Sequence, residues 1–298
     1  MNIYSQISSN NVKTWILIIG FVGFFMLVAY IFGEAMGYGS GYVGIALLLS
    51  LLTSIASFYW GDQIVLAMSG AREANRKEHF DLFTVTENLA ISAGIPKPKL
   101  YVIDDTAMNA FATGRDPQHA VVVATTGIIQ QLDRRELEGV IAHELSHIKN
   151  FDIRLMLIVT VLVGSVVYVT DWFLRSLWWG GRSRNRDDRS GGGIMLLIGV
   201  VLAILTPLLA TVIKLAISRQ REYLADASGV LLTRYPEGLA RALEKLSKDK
   251  EVLEAATDAT AHLYIANPFK GKEFGAWFAS LFNTHPPIEE RIKRLRVM

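Results

Sequence analysis

Four long apolar stretches, Trp15 to Phe32, Tyr42 to Trp60, Ile153 to Leu174 and Ile194 to Ala216, set the terms on which this chain can fold. Each approaches the roughly 17 to 25 residues that a helix needs to cross a hydrocarbon layer, where every backbone N–H and C=O must be satisfied within the segment. Trp15, Trp60, Trp172, Trp178 and Trp179 stand near their ends, where an indole keeps its body in lipid and its N–H in water. Asp171 in the third stretch and Lys214 in the fourth lie close enough to an end to reach the interface. Pro207 predicts a kink in the fourth. The alternative for each stretch is a buried helix of a large soluble core. With 51% hydrophobic and 19% charged residues over 298 positions, and a mean hydropathy of +0.30, the chain is too apolar for an ordinary water-soluble globule. The expectation is a multi-pass membrane protein whose first apolar run, lacking a small-residue cleavage site, is a retained anchor.

Charge gives an orientation with one conflict. The loop Glu34 to Gly41 has no Lys or Arg and fits the exterior, which leaves Lys13 and the segment after Trp60 inside. The linker Arg175 to Gly193 carries Arg175, Arg182, Arg184, Arg186 and Arg189, which would favour the cytoplasm, yet two full spans on either side would put it outside. A re-entrant hairpin for the second pair is the alternative. Asp187 and Asp188 dilute this run, and a formal net charge of +2 gives no reason to expect nucleic acid as a partner.

The polar segments read as α+β, mainly helical. Arg72 to Ala93 predicts an amphipathic helix closed by Gly94 and Pro96, and Lys99 to Ile103, Asn109 to Thr113 and Ala120 to Thr125 predict strands of a small antiparallel sheet. Arg219 to Leu232, Pro236 to Lys248, Glu251 to Leu263 and Pro287 to Val297 predict helices. The resulting domain plan is an N-terminal anchor at 1–60, a first catalytic part at 61–152, a membrane helix pair at 153–217 and a second catalytic part at 218–298.

The chain has no cysteine, so a metal site must use His, Asp and Glu. His143-Glu144-Leu145-Ser146-His147 is the H-E-x-x-H pattern. Asp133 with Glu136 three residues on predicts an N-cap, and Leu137, Ile141, Leu145 and Ile148 form an apolar stripe, so the pattern sits on a helix. Helical spacing puts both imidazoles on one face, a turn apart, within reach of one ion. Glu144 projects beside them, placed as general base toward a zinc-activated water. A catalytic zinc needs a third ligand, and the candidate is Glu222, with Asp226 one turn on to accept the other N–H of a ligand histidine. Spacing alone leaves open a wet helix on which Glu222 and Asp226 pair with Arg219 and Arg221.

Four segments then carry a resemblance: Asn109-Ala110-Phe111-Ala112-Thr113-Gly114, Ala142 to His147, Ser218-Arg219-Gln220-Arg221-Glu222-Tyr223-Leu224-Ala225-Asp226, and Thr284-His285-Pro286-Pro287. Together they resemble the HtpX-type membrane zinc metalloproteases, kin of the CAAX prenyl endopeptidases. The resemblance implies a zincin-like (gluzincin) catalytic domain facing the cytoplasm of a bacterial inner membrane. It implies one zinc ion per chain on His143, His147 and Glu222, base catalysis by Glu144, and Asp226 and Arg219 behind the ligands. It also implies substrates among misfolded or damaged membrane proteins in quality control and stress response, which would lie along Asn109, Ala110, Phe111, Ala112 and Thr113. His285 would approach the metal to stabilise the oxyanion or take its open position, with a plain capping histidine before Pro-Pro as the alternative. His79, His119 and His262 have no partner pattern and read as surface residues.

Three rivals share some of these features. An intramembrane protease would carry H-E-x-x-H inside a span, whereas Asp133, Arg134, Arg135, Glu136 and Glu138 start this helix in water. A zinc-binding scaffold would have the ligands without needing Glu144. Prenyl-protein processing would require a prenylated substrate.

Overall fold

The computed structural model of the chain describes residues 3–35, 41–165, 219–257, 259–269 and 286–298. The fourth apolar stretch with Pro207, the Arg-rich linker, Trp172, Trp178, Trp179 and His285 lie outside the described residues. Two long helices, α1 (Ile3–Ala35) and α2 (Gly41–Met68), pack on each other and are followed by β1 (Arg72–Glu73), α3 (Phe80–Ala93), β2 (Lys99–Ile103), β3 (Ala110–Gly114), β4 (Ala120–Thr125), α4 (Thr126–Gln131) and α5 (Arg134–Lys149). Residues 152–165 form the described part of α6. Beyond the gap come α7 (Arg219–Thr233), α8 (Pro236–Lys248) and α9 (Ile288–Leu295).

The sheet is mixed, with order β1-β2-β4-β3. The expected antiparallel sheet is therefore corrected: β4 pairs antiparallel with β3 but parallel with β2. The sequence of β4, AVVVAT, is buried at every position, as suits a strand with neighbours on both edges. Alternation along β4 then divides the interior in two. Val122 and Ala124 face a core with Leu82, Leu137, Ile141, Leu145 and Leu243, while Val121 and Val123 face one with Val65, Leu66, Leu155 and Val159. One side of the sheet carries α3, α5 and α8, and the other carries the feet of α1, α2 and α6.

Helix α5 begins at a reciprocal box in which Asp133 Oδ1 accepts from the Glu136 N–H at 3.0 Å and Glu136 Oε2 accepts from the Asp133 N–H at 2.8 Å. Its expected stripe, Leu137, Ile141, Leu145 and Ile148, is wholly buried, each side chain contributing about 1.5 to 3 kcal/mol. Gly139 lets α8 cross closely, since a Cβ there would lie 2.5 Å from the Leu239 N. Gly61 does the same for α2 against α6, where a Cβ would meet Leu157 at 2.8 Å.

Two helix expectations are revised. The helix placed at 72–93 starts only at Phe80, because Arg72 and Glu73 pair with Val102 and Tyr101 as an edge strand. Among the described residues of the one placed at Glu251 to Leu263, the helical turn is a single 3-10 turn at Ala261–Leu263. Leu253 N–H instead bonds to the Pro268 carbonyl.

The segment Val43–Met68 is one helix long and apolar enough to cross a membrane, and Val12–Leu27 is a shorter apolar helical segment. Trp15, Ile16, Ile19, Ile45, Leu48, Leu52, Tyr59 and Trp60 are exposed along them. In contrast, residues 155–163 of α6 are buried against protein, so this half of the third apolar stretch packs as a core helix.

Candidate metal centre

Helices α5 and α7 bring His143, His147 and Glu222 together, all buried, with one ligand atom from each within 4.8 Å of the others. The two Nε2 atoms are 3.2 Å apart, with the rings nearly perpendicular at 89°. Glu222 Oε2 lies 3.7 Å from His143 Nε2 and Glu222 Oε1 3.5 Å from His147 Nε2. Atoms held about 2.0 to 2.1 Å from one ion in tetrahedral array stand about 3.3 to 3.4 Å apart, so the donor set fits zinc in size as well as in chemistry. Glu144 is buried on the same turn, close enough for its charge to act on His147.

Each imidazole turns its other nitrogen to a carboxylate, the arrangement that fixes the tautomer and frees Nε2 for a metal. His143 Nδ1 lies 2.9 Å from Asp226 Oδ1, and His147 Nδ1 lies 3.1 Å from Asp152 Oδ2. Asp226 also receives Arg291 of α9, which donates from Nε at 2.9 Å and Nη2 at 2.7 Å with both residues buried. Burial alone would raise the Asp226 carboxyl, but the Arg291 charge and the His143 bond hold it down at about 2. Burial would likewise push the His147 imidazole down. The Asp152 bond and the charges of Glu222, Asp152 and Glu144 outweigh that and hold it up at about 9.

The residues behind the ligands differ from expectation. Arg219 is exposed at the start of α7, so the guanidinium at Asp226 is Arg291 instead. Asp152 and Arg291 were not singled out in the sequence. An acid five residues after the second histidine was a signal for the former, while nothing local marks Arg291 except an arginine on a terminal amphipathic helix.

The strand expected to take substrate is at the sheet edge, but part of it is occupied. Asn109 Nδ2 donates to the Ala266 carbonyl at 2.9 Å, and the Ile265 N–H donates to the Ala110 carbonyl at 3.0 Å. Phe111 points into the second core against the Tyr264 ring at 5.0 Å. Thr113 is buried. Because the Thr125 N–H bonds to the Asn109 carbonyl and Ala112 pairs with Val122, alternation turns the Ala112 N–H and C=O outward. The remaining histidines also need correction. His79 is buried with Nδ1 3.1 Å from the Asn75 carbonyl, and His262 is buried with Nε2 3.1 Å from Thr160 Oγ1. His119 is exposed as expected, beside Asp116.

Two helical histidines one turn apart, a glutamate from a second helix and a further buried glutamate beside them define the site of a metalloprotease. The description Peptidase family M48 matches residues 76–298. The chain belongs to that family. A protein named Protease HtpX homolog from Dictyoglomus turgidum is 47% identical over 297 residues, covering 99% of this chain and 94% of that protein. Namesakes from Thermoanaerobacter pseudethanolicus and Streptococcus uberis are 46% and 43% identical, each over 99% of this chain and over 97% and 100% of their own length. The crystal structure of Ste24p from S. mikatae shares the fold at a TM-score of 0.50 and 19% identity, covering 98% of this chain and 67% of that one.

Proposed function

We propose that the chain is a membrane-bound, zinc-dependent endopeptidase that cleaves misfolded or damaged membrane proteins in quality control, at the cytoplasmic face of a bacterial inner membrane. The observation that carries the reading is the convergence of His143, His147, Glu222 and Glu144 directly beside helices whose apolar faces lie open. In this reading residues 1–60 anchor the protein, 61–152 and 218–298 build the catalytic unit, and 153–217 returns the chain to the same side. His143, His147 and Glu222 hold the ion, and Asp226 and Asp152 keep the two imidazoles in the ligating tautomer. Bound zinc supplies a Lewis acid and lowers the pKa of water. Glu144 takes the proton from the attacking water and passes it to the leaving amine. An extended substrate segment pairs with the outward groups of Ala112 through main-chain hydrogen bonds, which tolerate many side chains and suit unfolded targets. His285 is proposed to meet the developing oxyanion.

The test is Glu144→Gln in the full chain purified in detergent. It should keep zinc bound at the wild-type stoichiometry and abolish cleavage of an unfolded membrane protein. Unchanged turnover would remove Glu144 as base, and turnover that survives chelation in the wild type would end the metalloprotease reading.

A further inference from the structure

Asn10 is a buried amide on α1, and its contacts lead to the metal centre. Among the described side chains of α1, Asn10, Thr14 and Leu17 are buried, spaced to share one face. On the other face Trp15, Ile16 and Ile19 are exposed. Asn10 Nδ2 donates to Asp152 Oδ1 at 2.8 Å and also lies 3.3 Å from the Asn150 carbonyl. Those two acceptors bracket the turn that joins α5 to α6. The turn is costly, because Phe151 sits at φ 59°, a left-handed conformation that strains a bulky side chain by about 1 to 3 kcal/mol. What the strain achieves is direction: Asp152, the first residue of α6, swings back so that its Oδ2 meets His147 Nδ1 at 3.1 Å. Arg221, one residue before the third ligand, approaches the oxygen that Asn10 holds, at 3.7 Å.

We propose that Asn10 is a positioning residue of the metal centre, acting through Asp152 on His147, so that the first helix is part of the metal-binding apparatus and not only a tether. By donating to Oδ1, Asn10 fixes the carboxylate plane and leaves Oδ2 aimed at the imidazole. By also holding the Asn150 carbonyl, it keeps the strained turn closed. Without it, Asp152 is free to rotate toward Arg221 and the His147 ring loses its orientation. The proposal rests on the metal-centre reading, and its test therefore measures metal affinity and coordination rather than cleavage.

The experiment uses the full chain in detergent with Asn10→Ala and Asn10→Leu, the second keeping about the size of the side chain while removing its donor. Zinc affinity is measured by competition with a chromophoric chelator, and the visible absorption of the cobalt-substituted protein reports ligand geometry. Loss of an outer partner of a ligand histidine costs about 10- to 100-fold in metal affinity. Both Asn10 variants should lose about tenfold in zinc affinity and shift the cobalt bands. In an Asp152→Asn background, adding Asn10→Leu should change affinity no further, because the route through Asp152 is already cut. Wild-type zinc affinity and cobalt spectrum in Asn10→Leu would overturn the proposal. So would an equal loss from Asn10→Leu with and without Asp152, which would mark a general packing role. A protein that binds zinc as described yet cleaves nothing would defeat the peptidase reading and leave this one standing.

Discussion

Arg291 grips Asp226 with two hydrogen bonds, 2.9 and 2.7 Å long, at a point where neither side chain reaches solvent. The pair ties the last described helix to α7 and, through Asp226 Oδ1, to His143 at 2.9 Å. Desolvation offsets much of the attraction in a buried ion pair of this kind, but breaking it is costly because it leaves one charge buried without its partner.

Arg291→Met should therefore destabilise the protein by about 3 to 5 kcal/mol, read from denaturant midpoints of the zinc-free protein. It should also change the acid limb. With Asp226 held at about 2 in the folded state against an ordinary 3.8, the wild type carries a stabilising contribution that is full above 3.8 and lost as pH falls through 2. In Arg291→Met, burial, which raises the carboxyl, is opposed only by His143, so the loss of stability on acidifying through that window should be smaller than in wild type. A denaturant midpoint equal to that of wild type would show that Asp226 is satisfied by other means.

Proton competition at His147 predicts the pH dependence of metal binding. The imidazole is held at about 9, so below that value zinc must displace a proton to reach Nε2. Apparent affinity should rise about tenfold per pH unit through neutrality and level off near 9. A plateau already reached at the ordinary histidine value of 6.5 would show that Asp152 and Glu222 do not hold the proton.

The edge strand supplies a test of substrate pairing. Ala112→Pro removes one outward N–H and touches no ladder bond, since Ala112 occupies a non-hydrogen-bonded pair with Val122. One lost main-chain bond of about 1 to 1.5 kcal/mol should raise KM for an unfolded protein substrate about tenfold, with zinc affinity unchanged. An unaltered KM would place the extended substrate elsewhere.

The parts of this molecule that were legible beforehand are those written in local periodicity. The box at Asp133 and Glu136, the stripe from Leu137 to Ile148 and the bounds of Pro236–Lys248 follow from residues at most a few turns apart. So does the face shared by His143 and His147. What the sequence withheld depends on partners far along the chain. The parallel pairing of β2 with β4 joins strands separated by β3 in the chain, and the periodicity of AVVVAT registers only a short apolar run without direction. Arg291 reaches Asp226 across 65 positions and Asn10 reaches Asp152 across 142. No local pattern announces either contact. The segment at Glu251 to Leu263 failed for the opposite reason: its composition suits a helix, and the Leu253 bond to Pro268 overrides that preference.

Helix α5 is held at both ends. At its start Glu136, fully buried, accepts from Lys245 Nζ at 2.6 Å and lies 3.1 Å from the charge of Arg241 Nη2. At its finish the Phe151 turn runs straight into α6. A rod pinned at front and rear can neither slide nor spin. That matters because a slip of a single residue would rotate every side chain on it by about 100°, enough to turn both imidazoles away from Glu222. The fastening at Glu136, two turns upstream of His143, thus sets the angular phase on which coordination depends.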